Sequence, residues 1–474
     1  MIPLTLGEIG SVTGGTVRGD PSLVVPGEFV IDSRRAGPGS MFVAVAGERV
    51  DGHSFASAAV AAGAVGVLST RPVADVPCVV VGSITDALAS LARHVLGLLP
   101  AAVVAGITGS SGKTSTKDLC FSLVERLGPA IAPVGSFNTE YGLPLTVLRA
   151  CADTRYLVLE MSARGIGHIA YLCGIAPPRY GVVLNVGHAH AGEFGGLDQV
   201  AVAKGELVEA LPPSGVAILN ADDPRVLAMA SRTSARVVTF GLGGAAGPGG
   251  AAGPGGAAAD VRAMDVRLDE MGRASFTLVT AEGSAPVALR VHGAHQVPDS
   301  LAAAALAGSL GLGLDEIASG LSSAVARSRW RMEVSTRPDG VVIINDAYNA
   351  NPESVRAALD SLAHMAHGGR AFAVLGHMAE LGSSSPSAHI SAGAYAASLG
   401  VAGLIAVGEE AAPVLDGART VRSWHGEAVA VPDGSGAVAF LRELLKPGDV
   451  VLVKASRAAS LENAAAELLA EADQ

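Results

Sequence analysis

Short apolar runs punctuated by polar turns recur along the whole chain, and their spacing alternates between that of buried strands and that of helices. Between 27 and 92, Phe29-Val30-Ile31, Met41-Phe42-Val43-Ala44-Val45, Gly66-Val67-Leu68 and Val79-Val80-Val81 flank an Ala-rich helical stretch at 54–63, which predicts a small α/β domain over residues 1–97. Helical periodicity at 86–97 runs into Leu99-Pro100, a hinge before the next strand. Beyond it, Tyr156-Leu157-Val158-Leu159, Gly181-Val182-Val183-Leu184 and Val216-Ala217-Ile218-Leu219 are continuous apolar runs, each beside a helical segment. That is the pattern of a mostly parallel sheet covered on both faces. The alternating segments Val266-Arg267-Leu268, Ser275-Phe276-Thr277-Leu278-Val279 and Val287-Ala288-Leu289-Arg290-Val291 predict an antiparallel side sheet within a central domain spanning 98–327. A third α/β pattern, over 328–474, starts at Val341-Val342-Ile343-Ile344 and passes through Phe372-Ala373-Val374-Leu375, Gly403-Leu404-Ile405-Ala406-Val407 and Val450-Val451-Leu452-Val453.

Composition agrees with three domains. A chain of 474 residues, 49% hydrophobic, fills several cores at roughly 150 residues per domain. Residues 243–259 repeat Gly-Gly-Ala-Ala-Gly-Pro and carry nothing larger than proline, so they read as a flexible surface insertion without chemistry. No run approaches a membrane span, and the N-terminus lacks the basic start and apolar core of a signal peptide, so a soluble cytoplasmic protein is expected; a monomer is expected as well. Cys78, Cys120, Cys151 and Cys173 form no Cys-x-x-Cys pair and are expected as reduced core or near-core thiols rather than zinc ligands. With 33 basic against 44 acidic residues, the net charge of −11 argues against a broad nucleic-acid surface; an anionic substrate must be held by a local basic cluster.

Such a cluster stands at residues 106–117, Gly-Ile-Thr-Gly-Ser-Ser-Gly-Lys-Thr-Ser-Thr-Lys, between apolar Val103-Val104-Ala105 and an amphipathic stretch from Asp118. Strand, loop and helix follow in the order of a phosphate-binding loop, and ATP binding is predicted. The backbone amides of Gly109, Ser110, Ser111 and Gly112 can turn onto phosphate oxygens, Lys113 brings a point charge, and the Thr114 hydroxyl, beside Ser115, can ligate Mg²⁺ at the positive helix end. The glycines fall at 106, 109 and 112, with Ile107 where the usual pattern has glycine, so a chance Gly-Lys-Thr is the competing reading.

Other polar groups follow predicted strands, where open α/β sheets bind ligands. Glu160 can ligate Mg²⁺ or simply cap a strand. His188 and His190 follow Asn185, although a loop histidine is more often structural. Lys204, in a helix-like segment, reads on its own as a solvated lysine. The run Asn345 to Pro352 suits a base or a ribose, or is a polar turn. Arg457, after Lys454-Ala455-Ser456, can fork onto a carboxylate or phosphate, or sit at the surface.

Taken together, the segments resemble the Mur ligase family over nearly the whole chain. The resemblance is carried by Asp32-Ser33-Arg34 with Asp51-Gly52-His53; Thr108 to Thr114; Asn138-Thr139-Glu140-Tyr141-Gly142-Leu143-Pro144; Leu159-Glu160-Met161; Ala189-His190; Ala203-Lys204-Gly205-Glu206; Asn220-Ala221-Asp222-Asp223; Arg331; Asn345 to Pro352; and Leu375-Gly376 with Glu380-Leu381-Gly382. It implies a phosphate-loop central sheet between a small N-terminal domain and a Rossmann-like C-terminal domain. It also implies an ATP-dependent amide ligase of peptidoglycan precursor synthesis, joining D-alanyl-D-alanine to UDP-N-acetylmuramoyl-tripeptide through an acyl phosphate. On that resemblance Ser33, Arg34, Asp51 and His53 hold the UDP end, and Asn138, with Thr139 beside it, meets the reacting end. Thr114 and Glu160 take one Mg²⁺, His190 and a carbamylated Lys204 a second, and Arg331, Asp346 and Asn349 engage the adenine nucleotide across the domain junction. Thr139 stands where a second Asn is frequent, Ser162 where Gly is usual, and His377 where an acidic or amide residue is frequent. Two alternatives therefore stay open: a paralogue taking a modified dipeptide or natural-product substrate, and a nucleotide-binding scaffold without turnover.

Overall fold

The computed structural model describes residues 1–47, 50–187, 196–242 and 259–470. His188, His190 and nearly all of the 243–259 insertion lie outside the described residues. Among the described residues three large sheets carry the chain, beside a two-stranded antiparallel pair of Leu4–Thr5 with Val24–Val25. The first is five-stranded: Phe29–Val30, Met41–Val43, Gly66–Ser69 and Cys78–Val80 run parallel, and Thr16–Arg18 pairs antiparallel with the last. Alternate residues of these strands enter two separate cores, Met41, Val43 and Leu68 on one face and Phe42, Ala44 and Val67 on the other. The helix Ile84–Gly97, started by a Ser83 side-chain cap, puts Leu88, Leu91 and Val95 into the first of these cores and Ala89 and Ala92 into the core of the central sheet.

The central sheet has nine strands. Val103–Thr108 lies in its interior between Tyr156–Glu160 on one side and Tyr180–Val183 on the other, all parallel. The chain leaves Val103–Thr108, builds one side of the sheet, and crosses back to the other, so the loop after Thr108 sits at a topological switch point where a crevice opens. The segments at 261–292 form antiparallel strands as expected, but not as a detached side sheet. Val261–Leu268 pairs in parallel with Arg236–Gly241, Phe240 opposite Val261 and Gly241 opposite Arg262, and the sheet runs on without a break to Gly283–His292. One face packs on the buried Ala-rich helix Gln296–Ser309, whose Leu301 and Leu306 share a core with Leu119 and Leu123. Each such leucine stabilises the fold by about 1.5–3 kcal/mol.

The third sheet orders its strands Glu333–Thr336, Val342–Asp346, Val450–Lys454, Ala371–Leu375, Gly403–Val407 and Glu427–Val431; only the first pairing is antiparallel. Its helix Pro352–Ala366 starts on an Asn351–Ser354 capping box with proline in the first turn, a strong local start signal. Among the described residues no helix is long and apolar enough to cross a membrane. Cys78, Cys120 and Cys173 are buried free thiols, and burial pushes Cys173 up to about 12. Cys151 departs from expectation: it is exposed, in a turn where its Sγ meets Asp153.

Candidate active site

The phosphate-loop helix Lys113–Val124 begins directly after Gly112, which adopts a left-handed φ of 79° and supplies no side-chain cap. A β-carbon at Gly112 would collide with the Asp299 carboxylate, so glycine is required there for space as well as for conformation. The uncapped helix start leaves amides free for an anion. The loop before it is held by the neighbouring strand exit: Asn185 Oδ1 accepts from the Ser110 and Ser111 amides, each at 2.9 Å, and Ser110 Oγ accepts from the Gly187 amide at 2.8 Å. Lys113 Nζ donates to Gly109 O at 2.7 Å. Burial brings the Lys113 ammonium down to about 8, opposed by the charge of Glu160. Asp299 is buried with one carboxylate oxygen unpartnered, and burial raises it to about 7.

Glu160 ends its strand fully buried. Its Oε2 accepts from Asn138 Nδ2 at 3.2 Å and its Oε1 has no hydrogen-bond partner. An orphaned buried carboxylate oxygen close enough to act on the Lys113 charge fits a cation. Lys204 is also buried, on the helix Leu197–Glu209, where burial and the positive charge of Lys113 hold its amine well below the usual lysine range. It is therefore not the solvated lysine that its sequence alone permits. Two residues on, Glu206 reaches across to the helix His168–Ile175, which has no side-chain cap of its own, and accepts from the Gly167 and Ala170 amides at 2.5 and 2.9 Å. Arg232 donates to Ala201 O and Val202 O and so pins the Leu197–Glu209 helix from behind. Glu206→Ala should strip both amides of their acceptor, costing about 1–3 kcal/mol; a thermal unfolding midpoint that falls for Glu206→Ala and recovers in Glu206→Gln checks this.

The C-terminal domain faces the loop. Arg331, on the connecting segment, donates from Nη2 to Ser136 Oγ at 2.8 Å and lies 4.3 Å over the Tyr348 ring. Asp346 accepts from the Met332 amide at 3.1 Å and pairs with buried Lys454, which also donates to Asn349 O at 2.9 Å. Arg457 pairs with Glu462 and stacks over Trp330, so its guanidinium is already engaged. A buried Lys117–Asp118 pair ties the phosphate-loop helix to the connecting segment: Asp118 accepts from the Ser328 amide at 2.9 Å, and Lys117 donates to Ser328 Oγ at 3.3 Å.

A cleft of about 1040 Å³ opens here, lined by Ser110, Ser111, Gly112, Lys113, Thr114, Ser115, Asn138, Thr139, Arg331, Asp346, Asn349 and Arg457; Glu160 and Lys204 are buried outside its lining. A second, more apolar cleft of about 760 Å³ lies on the N-terminal domain between Ser33, Arg34, Phe42 and Phe55. Ser136 and Thr139 belong to both clefts. Asp51 and His53 do not line either: Asp51 accepts from the His53 amide at 3.0 Å and meets its ring at 2.6 Å, while buried His53 turns to Thr70. Arg34 is exposed and pairs with Asp32. Among the described residues no three His, Cys, Asp or Glu side chains converge on one point. Ser136, Asn185 and Asp299 are contributors that no local motif marks, and Glu206, though quoted within a motif, was given no role there. Asn185 follows an apolar strand run, the one signal that could have found it.

A phosphate loop at the switch point of a three-domain α/β chain defines a class, and the chain belongs to the Mur ligase family: the family's catalytic domain matches residues 29–95, its middle domain 107–307, and its glutamate ligase domain 330–457. The UDP-N-acetylmuramoyl-tripeptide–D-alanyl-D-alanine ligase of Mycobacterium tuberculosis is 45% identical across 99% of this chain and 98% of its own length, and that of Escherichia coli is 34% identical across 98% and 97%. In structure, MurF from Acinetobacter baumannii superposes with a TM-score of 0.84 at 32% identity, covering 99% of each chain. MurF from Thermotoga maritima, solved in complex with ADP, gives 0.77 at 30%, covering 94% of this chain and 98% of its own.

Proposed function

We propose that this protein is an ATP-dependent ligase that adds D-alanyl-D-alanine to UDP-N-acetylmuramoyl-tripeptide in peptidoglycan precursor synthesis. One observation carries the reading beyond family membership: the phosphate-loop cleft and the N-terminal cleft share a wall at Ser136 and Thr139. A nucleotide sugar in one cleft can thus bring its peptide carboxylate to the terminal phosphoryl of ATP in the other. Lys113 and the amides at the start of the Lys113–Val124 helix hold the phosphates. Arg331, Asp346 and Asn349 face the nucleotide from the C-terminal domain, and Ser33 and Arg34 the UDP end. Asp51 and His53 brace the loop whose Gly52, between them, lines the N-terminal cleft. Thr114 and Glu160 suit one Mg²⁺; Lys204 suits a second site as its carbamate, with His190. Burial favours the neutral Lys204 amine, the form that adds carbon dioxide. When bound, Mg²⁺ neutralises charge that develops on the phosphates.

The carboxylate bonds to the γ-phosphorus as the bond to ADP breaks, and the dipeptide amine then bonds to the acyl carbon as phosphate leaves. No side-chain nucleophile is needed: the protein holds two anions together and keeps water from the acyl phosphate. The test is phosphate release from ATP with UDP-N-acetylmuramoyl-tripeptide, with and without D-alanyl-D-alanine, and the product mass. Dipeptide-dependent release with a UDP-pentapeptide mass supports the reading, and release with only another acceptor transfers the protein to the paralogue reading.

The lowered Lys113 pKa adds a pH signature. Above about 8 the free protein increasingly holds Lys113 neutral. Phosphate oxygens favour the ammonium, so nucleotide binding at pH 8.5 should draw in protons, and less so at pH 7, where the ammonium already dominates. Calorimetry in two buffers of different ionisation enthalpy measures that uptake.

A further inference from the structure

Ser136 stands where three parts of the molecule meet. Its Oγ is 2.9 Å from the Thr114 hydroxyl on the phosphate-loop helix and accepts from Arg331 Nη2 of the connecting segment at 2.8 Å, and its amide donates to Tyr348 Oη of the C-terminal domain at 3.3 Å. It also lies on the wall common to both clefts. A hydroxyl oxygen accepts two hydrogen bonds and donates one. Arg331 can only donate, so it fills one lone pair of Ser136 and leaves the second for Thr114.

Thr114 has its own constraint. A threonine that turns a lone pair to Mg²⁺ must direct its proton elsewhere, and the cation makes that proton a stronger donor. Ser136 Oγ is the acceptor at hydrogen-bond distance. We propose that Ser136 is a positioning residue, whose hydroxyl takes the Thr114 proton and so orients the Thr114 lone pair toward the metal, while Arg331 fixes Ser136 from the C-terminal side. The inference rests on the ATP and Mg²⁺ reading given above. It makes the metal-ready rotamer of Thr114 depend on a serine outside the phosphate loop and on an arginine outside the central domain.

Calorimetric titration of the full-length protein with ADP, in Mg²⁺ and in EDTA, tests it without turnover. For Ser136→Ala the gain in ADP affinity that Mg²⁺ confers on the wild type should shrink about tenfold, with affinity in EDTA unchanged. Ser136→Thr, which keeps a hydroxyl, should restore most of that gain. If Ser136→Ala retained the full Mg²⁺ effect, or lost affinity equally in EDTA, the positioning role would be overturned. A wild type that bound no ADP in either condition would overturn the nucleotide reading as well, which separates the two failures.

Discussion

Lys113→Ala is expected to reduce ATP-dependent phosphate release by about 10²–10³-fold or more, because it removes a cation buried at the phosphate loop where a phosphoryl group must pass. Alanine fits without strain, since it starts a helix whose backbone geometry is fixed by Gly112. Binding of the UDP-sugar should survive, because the N-terminal cleft takes no wall from Lys113. Simultaneous loss of phosphate release and UDP-sugar binding, read by calorimetry, would mean misfolding and not a lost phosphate contact.

Lys204→Ala carries the second large effect, a fall of about a hundredfold or more if the side chain supplies a metal ligand through its carbamate. The test lies in the pattern across variants. Short-chain carboxylic acids should partly restore the alanine variant by occupying the carbamate's place. Lys204→Arg should stay inactive, since a guanidinium remains cationic and does not add carbon dioxide. Full activity in Lys204→Arg would dispose of the carbamate.

Much of this site could be read along the chain because its chemistry is local. Strand, glycine loop and helix are contiguous from Val103 to Val124, and Glu160 ends an apolar run whose register places it beside Ile107. What stayed hidden arises from packing between distant segments. Ser136 is one polar residue in a turn until Thr114, Arg331 and Tyr348 converge on it. Asp299 looks like a residue of the helix's first turn, yet burial against Gly112 makes it part of the loop's frame. Asp51 and His53 show the reverse. The family resemblance set them at the UDP end, whereas their side-chain directions follow from the Asp51 cap and Thr70, which no spacing rule reveals. The alternating strands at 261–292 were recognisable as antiparallel, whereas their junction with the main sheet depends on two residue pairs, too short a contact to leave a periodic signal.

That junction also governs how freely the chain can vary in length. Gly241 and Arg262 are opposite partners on adjacent strands, so the path between them leaves and re-enters the sheet at points about 5 Å apart. Closing a loop over so small a gap costs only about 0.6 kcal/mol for each doubling of its length. A change in the length of residues 243–258 is therefore expected to leave the Phe240–Val261 and Gly241–Arg262 pairing in place, so that an affinity handle grafted there should leave the thermal unfolding midpoint nearly unchanged.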